Sequence, residues 1–178
     1  MFDEIFWFYC SSDSDDIDRY AKFNYLEGTW DIGSLSRTAW VDFGLHTKPR
    51  AAGAVNSSNY IYDHESGTTN DGSAMTSYIE SSVFDIGDGN QFVAIKKIIP
   101  DIDISSAAGN GVDYILKTRN YPGESLTTNS TSSVTSTTTK SDIRARSRSA
   151  VLRIQSSADD ISWTLGDTRM EIQPDGRR

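Results

Sequence analysis

The sequence predicts an all-β protein: an antiparallel β-sandwich or barrel-like domain, preceded by a small sheet that resembles one blade of a propeller. The first reason is alternation near the C-terminus, where apolar residues at every second position (Ile161, Trp163, Leu165) indicate strands with one buried face. The second is composition, because four Trp and eight Tyr suit half-buried sheets. The third is that no window of eleven residues repeats apolar positions at helical spacing.

Four short strands are predicted in the N-terminal region. The first is apolar at every position, so we expect it to be covered on both faces, with Cys10 buried. Together the four should form one antiparallel sheet of the size of a propeller blade. The predicted strands are Ile5 to Cys10, Arg19 to Tyr25, Thr29 to Ile32 and Arg37 to Phe43.

A weak internal similarity supports the propeller interpretation. Residues 25–29 and 60–68 each place an aromatic strand before an acidic, Gly-containing turn and a Thr. Kelch-type propeller blades use a similar arrangement, although a stable repeat array needs about three units. The pattern is consistent with the last part of a propeller.

Two polar stretches separate this region from the rest of the chain. Thr47 to Asn59 is loop-like, and Gly67 to Gly72 is a second break. The sequence therefore predicts two domains, residues 1–72 and residues 73–178.

The second domain begins with longer strands. Met75 to Phe84 and Gln91 to Ile99 flank Asp88-Gly89, which predicts a hairpin because Gly adopts positive φ without steric cost. Gly111 to Arg119 is a further strand. The Ser/Thr-rich segment 126–141 has two interpretations: a flexible or O-glycosylated linker, or a long solvated loop with partial strand character.

The C-terminal region carries the clearest strand signals. Arg144, Arg146 and Arg148 alternate with smaller residues, so a strand here would present guanidinium groups on one face. Ala150 to Arg178 follows as three strands separated by short polar breaks, which predicts an antiparallel meander with Trp163 in the core.

The formal charge of −8 argues against a non-specific nucleic-acid binder, which needs a basic surface. The charge is uneven: residues 1–33 contain eight acidic and two basic residues, whereas residues 140–153 contain five basic residues and one acidic residue. The two regions either meet in copies of the chain or form two solvated faces. No signal peptide is recognisable, and the longest apolar run is too short to span a membrane.

Candidates for chemistry are few. A lone cysteine, Cys10, excludes an intramolecular disulfide, and neither His46 nor His64 has the context of a catalytic base. The acidic stretches Asp13 to Asp18 and Asp85 to Asn90 lack the bidentate Glu of a calcium loop. The sequence predicts no catalytic, cofactor-binding or metal-binding residue, no cofactor, and a protein that is not an enzyme.

The C-terminal residues also carry a resemblance to a known family. Ile161 to Met170, running on to Pro174-Asp175-Gly176-Arg177-Arg178 and preceded by the arginine-rich strand, resembles the end of the tail hub or nozzle proteins of short-tailed bacteriophages. These are also called packaged-DNA stabilization proteins. Phe84 to Gly89 and Ile99 to Asp101 look like the same domain. Such proteins are usually several times longer, so the resemblance implies the C-terminal portion of one.

The resemblance implies a structural virion protein of the phage tail. It would form a homo-oligomeric ring, commonly of six copies, that contacts an adaptor and carries tail fibres or spikes, while DNA only passes through its channel. The family brings no catalytic residue, and we expect no membrane association. An alternative function is a carbohydrate-binding or depolymerising β-module of a phage or bacterial surface protein, for which aromatic-rich sheets and Asp-rich loops are suited.

Overall fold

The computed structural model describes residues 3–55 and 58–177. The fold is all-β, as predicted, with 55% strand and no helix among the described residues. The chain divides into two compact units, Met1–Ser66 and Gly67–Arg178. In the part of the chain that the structure describes, no helix has the length and apolar character needed to cross a membrane.

The first unit contains two three-stranded antiparallel sheets. The sequence predicted one four-stranded sheet, which is wrong because the fourth strand pairs with the strand that follows it and belongs to a separate sheet. The predicted loop from Thr47 to Asn59 is also wrong, since most of it is strand. The strands are β1 (Glu4–Tyr9), β2 (Arg19–Asn24) and β3 (Thr29–Ser34) in one sheet, and β4 (Ala39–Val41), β5 (Arg50–Val55) and β6 (Ser58–Asp63) in the other.

Small residues explain why the fifth strand was missed. Ala51 is 2% exposed, and Gly53 lies so close to neighbouring chain that an added Cβ would stand 3.0 Å from the Ser36 carbonyl oxygen and from Arg37 Nη1. Close packing at this strand therefore requires residues that carry no strand signal of their own.

The second unit contains twelve strands in the described part of the chain. They are β7 (Thr69–Asn70), β8 (Ser73–Ala74), β9 (Ser77–Glu80), β10 (Phe84–Asp85), β11 (Val93–Ile99), β12 (Ile102–Ser106), β13 (Val112–Arg119), β14 (Thr127–Val134), β15 (Ser141–Ser147), β16 (Ser149–Ser156), β17 (Ile161–Leu165) and β18 (Arg169–Pro174).

These strands form a sandwich-like arrangement around one core. Strand β16 lies inside a five-stranded sheet, between β13 on one side and β9 and β10 on the other, while β14 pairs with β13. Strands β15, β11 and β18 form a three-stranded sheet, and β12 pairs with β17. The described sheets do not close into a barrel. Buried residues from the sheets make one cluster: Val93, Ile95, Ile98, Ile104, Val112, Tyr114, Leu116, Val134, Ile143, Ala145, Ala150, Leu152, Ile154 and Ile161.

The predicted C-terminal meander is wrong in its pairing, although its three strands exist. Strand β16 joins the five-stranded sheet, β17 pairs with β12, and β18 pairs with β11. Val151 and Leu152 point to opposite faces of β16 and both are buried, which is typical of a central strand of a sheet. Trp163 is only partly buried at the edge of the core, and its indole N–H donates a hydrogen bond of 3.0 Å to Ser77 Oγ.

Two further expectations in this unit are corrected. Asp88 and Gly89 do adopt positive φ (56° and 72°), but the flanking strands do not form a hairpin, because β10 pairs with β16 and β11 pairs with β15 and β18. The Ser/Thr-rich segment 126–141 has more strand than expected of a linker or loop: half of it is strand β14, which pairs with β13 along its length and buries Val134 completely.

Candidate functional site

One face of the β1–β2–β3 sheet is apolar and open to solvent. The register places Ile5 beside Phe23 and Phe23 beside Trp30, and it places Ala21 between Trp7 and Ile32. Residues opposite each other in adjacent antiparallel strands point to the same side of a sheet. We call this surface the aromatic face; its members are Ile5, Trp7, Tyr9, Phe23, Trp30 and Ile32.

The aromatic face is exposed to an unusual degree for such large side chains. Trp30 is 66% exposed and Ile32 is 73% exposed, while Ile5, Trp7 and Tyr9 lie near 45%. The Trp7 and Trp30 rings stack with centroids 5.6 Å apart, and Phe23 lies 4.7 Å from Trp30. A soluble monomer rarely leaves a contiguous apolar patch of this kind uncovered.

The opposite face of the same sheet packs against strand β4 of the first unit. Phe6 and Phe8 stack on Trp40 of β4 with centroids 6.0 and 5.3 Å away, and Tyr20 lies 5.4 Å from Phe6. Lys22 bridges Glu4 at 2.9 Å on this side. The expectation that Ile5 to Cys10 is buried on both faces is therefore wrong, because only Phe6 and Phe8 turn inward.

A pocket of about 280 Å³ opens beside this packed side of the first unit. Its walls combine rings and carboxylates, and no Lys or Arg is among its described lining residues. Tyr25 Oη donates a hydrogen bond of 2.7 Å to Asp3 Oδ1. The rings are Phe6, Tyr25, Trp40 and Phe43, and the carboxylates are Asp3, Glu4, Asp42 and Glu65. We call it the acidic–aromatic pocket.

The arginine-rich strand predicted in the second unit is β15. Its burial alternates as predicted, with Arg144 and Arg146 exposed and the residues between them buried. The guanidinium carbons of Arg146 and Arg148 lie 3.9 and 4.7 Å from the centroid of the Phe92 ring. Arg146 Nε also donates a hydrogen bond of 2.5 Å to Asp175 Oδ2. The ring and the carboxylate hold this part of the basic surface in place.

Arg144 differs from its neighbours on this strand. It is exposed, and it makes neither a hydrogen bond nor an ion pair with any residue that the structure describes. It lines an open groove of about 680 Å³ together with Lys96 and Arg146. The cationic head of Arg144 is therefore available to a partner.

The residues considered for nucleophilic catalysis are placed as follows. Cys10 is exposed, which corrects the expectation of a buried thiol, and its sulfur lies 3.7 Å from the Asp15 carbonyl oxygen. Arg37 Nε donates to His64 Nε2 at 3.1 Å, and burial followed by the Arg37 charge lowers the pKa of His64. His46 lies beside Arg50, with 3.4 Å between the ring Nε2 and the guanidinium.

The acidic stretch from Asp13 to Asp18 is organised by its own hydrogen bonds. Ser11 donates to the Asp18 carboxylate through both its hydroxyl and its backbone N–H at 2.7 Å, and these bonds lower the pKa of Asp18. Within residues 3–55 and 58–177, no group of three or more His, Cys, Asp or Glu is arranged to hold a metal ion.

The aromatic face could have been found in the sequence by pairing the strands. Trp30 and Ile32 stand opposite Phe23 and Ala21, which in turn stand opposite Ile5 and Trp7. The acidic–aromatic pocket could not have been found in this way, because it joins residues from both ends of the first unit.

Comparison with family models finds no family that matches this chain. Comparison with curated proteins finds no match either.

Proposed function

We propose that this protein is a structural component that assembles with copies of itself, as a hub or nozzle ring of a short-tailed phage does. The observation that carries the proposal is the aromatic face. Among the residues of the first unit whose burial the structure describes, only Pro49, Ala51 and Gly53 are buried, while the large side chains of the aromatic face stay exposed. Covering such a surface is the main driving force for association.

The occupant that fits best is a second copy of the chain. Residues 1–33, which include most of the sheet that bears the aromatic face, contain eight acidic and two basic residues, whereas residues 140–153 of the second unit contain five basic residues and one acidic residue. Opposite charges on different surfaces of one chain favour contact between unlike surfaces of two copies. Repeating such a contact produces a ring when its rotation closes.

The identity of the assembly rests on the resemblance of the C-terminal residues. A tail hub in the virion would lie below an adaptor and would carry fibres or spikes. Its net charge of −8 would let DNA pass without adhering to the channel. This role needs no catalytic residue and no cofactor.

Sedimentation velocity tests self-assembly directly. The double variant Trp30→Ala with Ile32→Ala removes about 3 kcal/mol of apolar burial at each contact, because both side chains are largely exposed in one copy. We expect the dissociation constant to rise more than about a hundredfold. Leu45→Ala, which truncates a side chain that is 96% exposed outside the aromatic face, is the control and should assemble normally.

Salt tests the electrostatic part separately. Sodium chloride at about 1 M shortens the Debye length to about 3 Å and should shift the mass distribution towards monomer. A wild-type protein that stays monomeric at all accessible concentrations, or an assembly that the double variant leaves intact, would refute the proposal. An assembly indifferent to salt would remove only the electrostatic part.

A second candidate function is carbohydrate binding, favoured by the paired Trp7 and Trp30 rings. Their planes are 24° apart, and both are about half exposed or more. Flat aromatic surfaces with polar edges suit binding of sugar rings. A glycan array distinguishes the two functions: specific binding that disappears in Trp7→Ala would favour this one, whereas a ring seen by negative-stain microscopy would favour the hub.

A further inference from the structure

We propose that the acidic–aromatic pocket of the first unit binds the guanidinium group of Arg144 from a second copy of the chain. The inference rests on the proposed self-assembly and identifies a specific contact within it. It concerns a cavity and a strand residue that are both separate from the aromatic face.

The charge of the pocket favours a cation. Glu4 has Lys22 as its ionic partner and Asp3 accepts a hydrogen bond from Tyr25, but Asp42 and Glu65 make no ion pair with a described residue. Asp42 accepts only the N–H of Phe43, at 2.8 Å. The pocket therefore has an excess of negative charge that the described part of the chain does not neutralise.

The walls favour an organic cation over a metal ion. Four aromatic rings line the pocket, and the face of an aromatic ring attracts a cation and excludes water. Its carboxylates do not form a group suited to hold a metal among the described residues. A guanidinium is planar, weakly hydrated and able to stack on rings while donating to carboxylates, so it matches both halves of the lining.

The size of the pocket is suited to a side chain. Its volume is about 280 Å³, and a single arginine head with its alkyl stem is a small occupant that reaches both rings and carboxylates.

Arg144 is the occupant that the chain itself offers. On strand β15, Arg146 is held by Asp175 and Phe92, and just after the strand Arg148 donates to the carbonyl oxygens of Gly89 and Arg177. Arg144 alone of the three makes no such contact among the described residues. An unpaired guanidinium on one surface and unpaired carboxylates on another are complementary in charge.

Ethylguanidinium, which reproduces the end of an arginine side chain, tests the pocket by itself. We expect it to shift the NMR signals of Trp40 and Phe43 with a dissociation constant in the millimolar range. Ethylurea, its neutral analogue, should bind at least about tenfold more weakly. Equal binding of the two compounds, or no binding of either, would overturn the proposal.

Matched variants show whether the carboxylates act locally. Asp42→Asn with Glu65→Gln should weaken ethylguanidinium binding about fivefold or more. Asp15→Asn with Asp16→Asn removes the same charge from an exposed loop of the same unit and should change binding less than twofold. Equal effects of the two pairs would mean that only the overall charge matters, which would overturn the pocket.

Arg144→Gln identifies the occupant. We expect this variant to dissociate the assembly to the same extent as saturating ethylguanidinium, and the two effects should not add. Lys140→Gln, which removes the same charge from the same basic region, is the control. If ethylguanidinium binds but Arg144→Gln assembles normally, Arg144 is not the occupant although the proposed assembly stands. If the wild type never assembles, the proposed function is refuted. The contact between Arg144 and the pocket of a second copy is then refuted as well, even if ethylguanidinium binds to the pocket.

Discussion

Truncation of Tyr114 measures how much the sandwich core contributes to stability. This side chain is 1% exposed, is the largest of those that are fully buried, and stands on β13 with Ile154 and Ser132 as its cross-strand neighbours. Removing a buried aromatic side chain leaves a cavity and costs about 3–5 kcal/mol. Because a domain is held by about 5–15 kcal/mol in total, Tyr114→Ala should remove about a fifth or more of the stability of the second unit.

The hydroxyl of the same residue contributes little. It lies 3.5 Å from Thr168 Oγ1, at the outer limit of a hydrogen bond, so Tyr114→Phe should cost less than about 1 kcal/mol at neutral pH. Urea denaturation followed by circular dichroism gives both values. A cost below about 1 kcal/mol for Tyr114→Ala would show that the core is not packed around this ring.

Alkaline pH adds an independent measurement at this position. Burial raises the pKa of Tyr114, and the nearby Asp101 carboxylate raises it further. A group whose pKa is raised in the folded state stabilises that state at pH values below its unfolded pKa, which is about 10 for tyrosine. This stabilisation is lost as the pH rises through the pKa of the folded state. Wild-type protein should therefore lose more stability above pH ~10 than Tyr114→Phe does. Equal losses would contradict the burial of the phenol.

The remaining predictions concern an edge of the core, a surface ion pair and a close approach. Trp163→Ala should cost about 2–3 kcal/mol in urea denaturation, less than a fully buried Trp, because the ring is only partly covered; a cost below about 1 kcal/mol would place it on the surface. Hydrogen bonding from Lys117 lowers the pKa of Glu80, so the ionised carboxylate stabilises the folded state above its ordinary pKa, and this stabilisation is lost as the pH falls through the lowered pKa. Glu80→Gln should therefore lose less stability in acid than the wild type, and an identical loss of stability would argue against the Lys117–Glu80 pair. Gly33→Ala should destabilise the first unit by about 1–3 kcal/mol, since the added Cβ would stand 2.5 Å from the Tyr20 ring; an unchanged rate of limited proteolysis in residues 1–66 would contradict that contact.

The sequence was a good guide to where strands lie in the second unit. Alternation located β13, β15 and β17 to within a residue or two, because each has one face in the core. It could not tell which strands pair. The alternation at Ile161, Trp163 and Leu165 is the same whether the neighbour is the preceding strand or the distant β12, and only the packing of the whole core decides.

Composition misled the prediction at two strands. The Ser and Thr residues of β14 favour a linker, or a solvated loop with partial strand character, but Ser130 and Ser132 turn towards the interior beside β13, where small side chains fit, and Val134 is buried at the end of the strand. Strand β5 was missed for the same reason at Ala51 and Gly53. Tertiary context selects small residues where backbones approach closely, and a local propensity scale does not register this.

The first unit was the harder case because its residues do not complete a core of their own. Uniform apolarity in β1 predicted burial on both sides, yet only the side of Phe6 and Phe8 finds partners within the unit. The acidic–aromatic pocket escaped prediction because Asp3 and Glu65, at opposite ends of the unit, meet only after folding. Candidate sites of this kind depend on sheet register and loop placement, which a single sequence does not reveal.

In the proposed assembly, the stability of the first unit would depend on contact with a second copy of the chain, because few of its own residues are buried. All residues of the hydrophobic core cluster belong to the second unit, whereas in the first unit only Pro49, Ala51 and Gly53 are buried among the residues whose burial is described. A segment of about 65 residues with so little buried surface lies close to the limit at which apolar burial offsets chain entropy. Covering Trp30 and Ile32 in a contact between copies would supply the missing burial, and folding of the first unit would then be linked to association by mass action. The aromatic face would therefore act both as the surface that joins copies and as the missing half of the first unit's core.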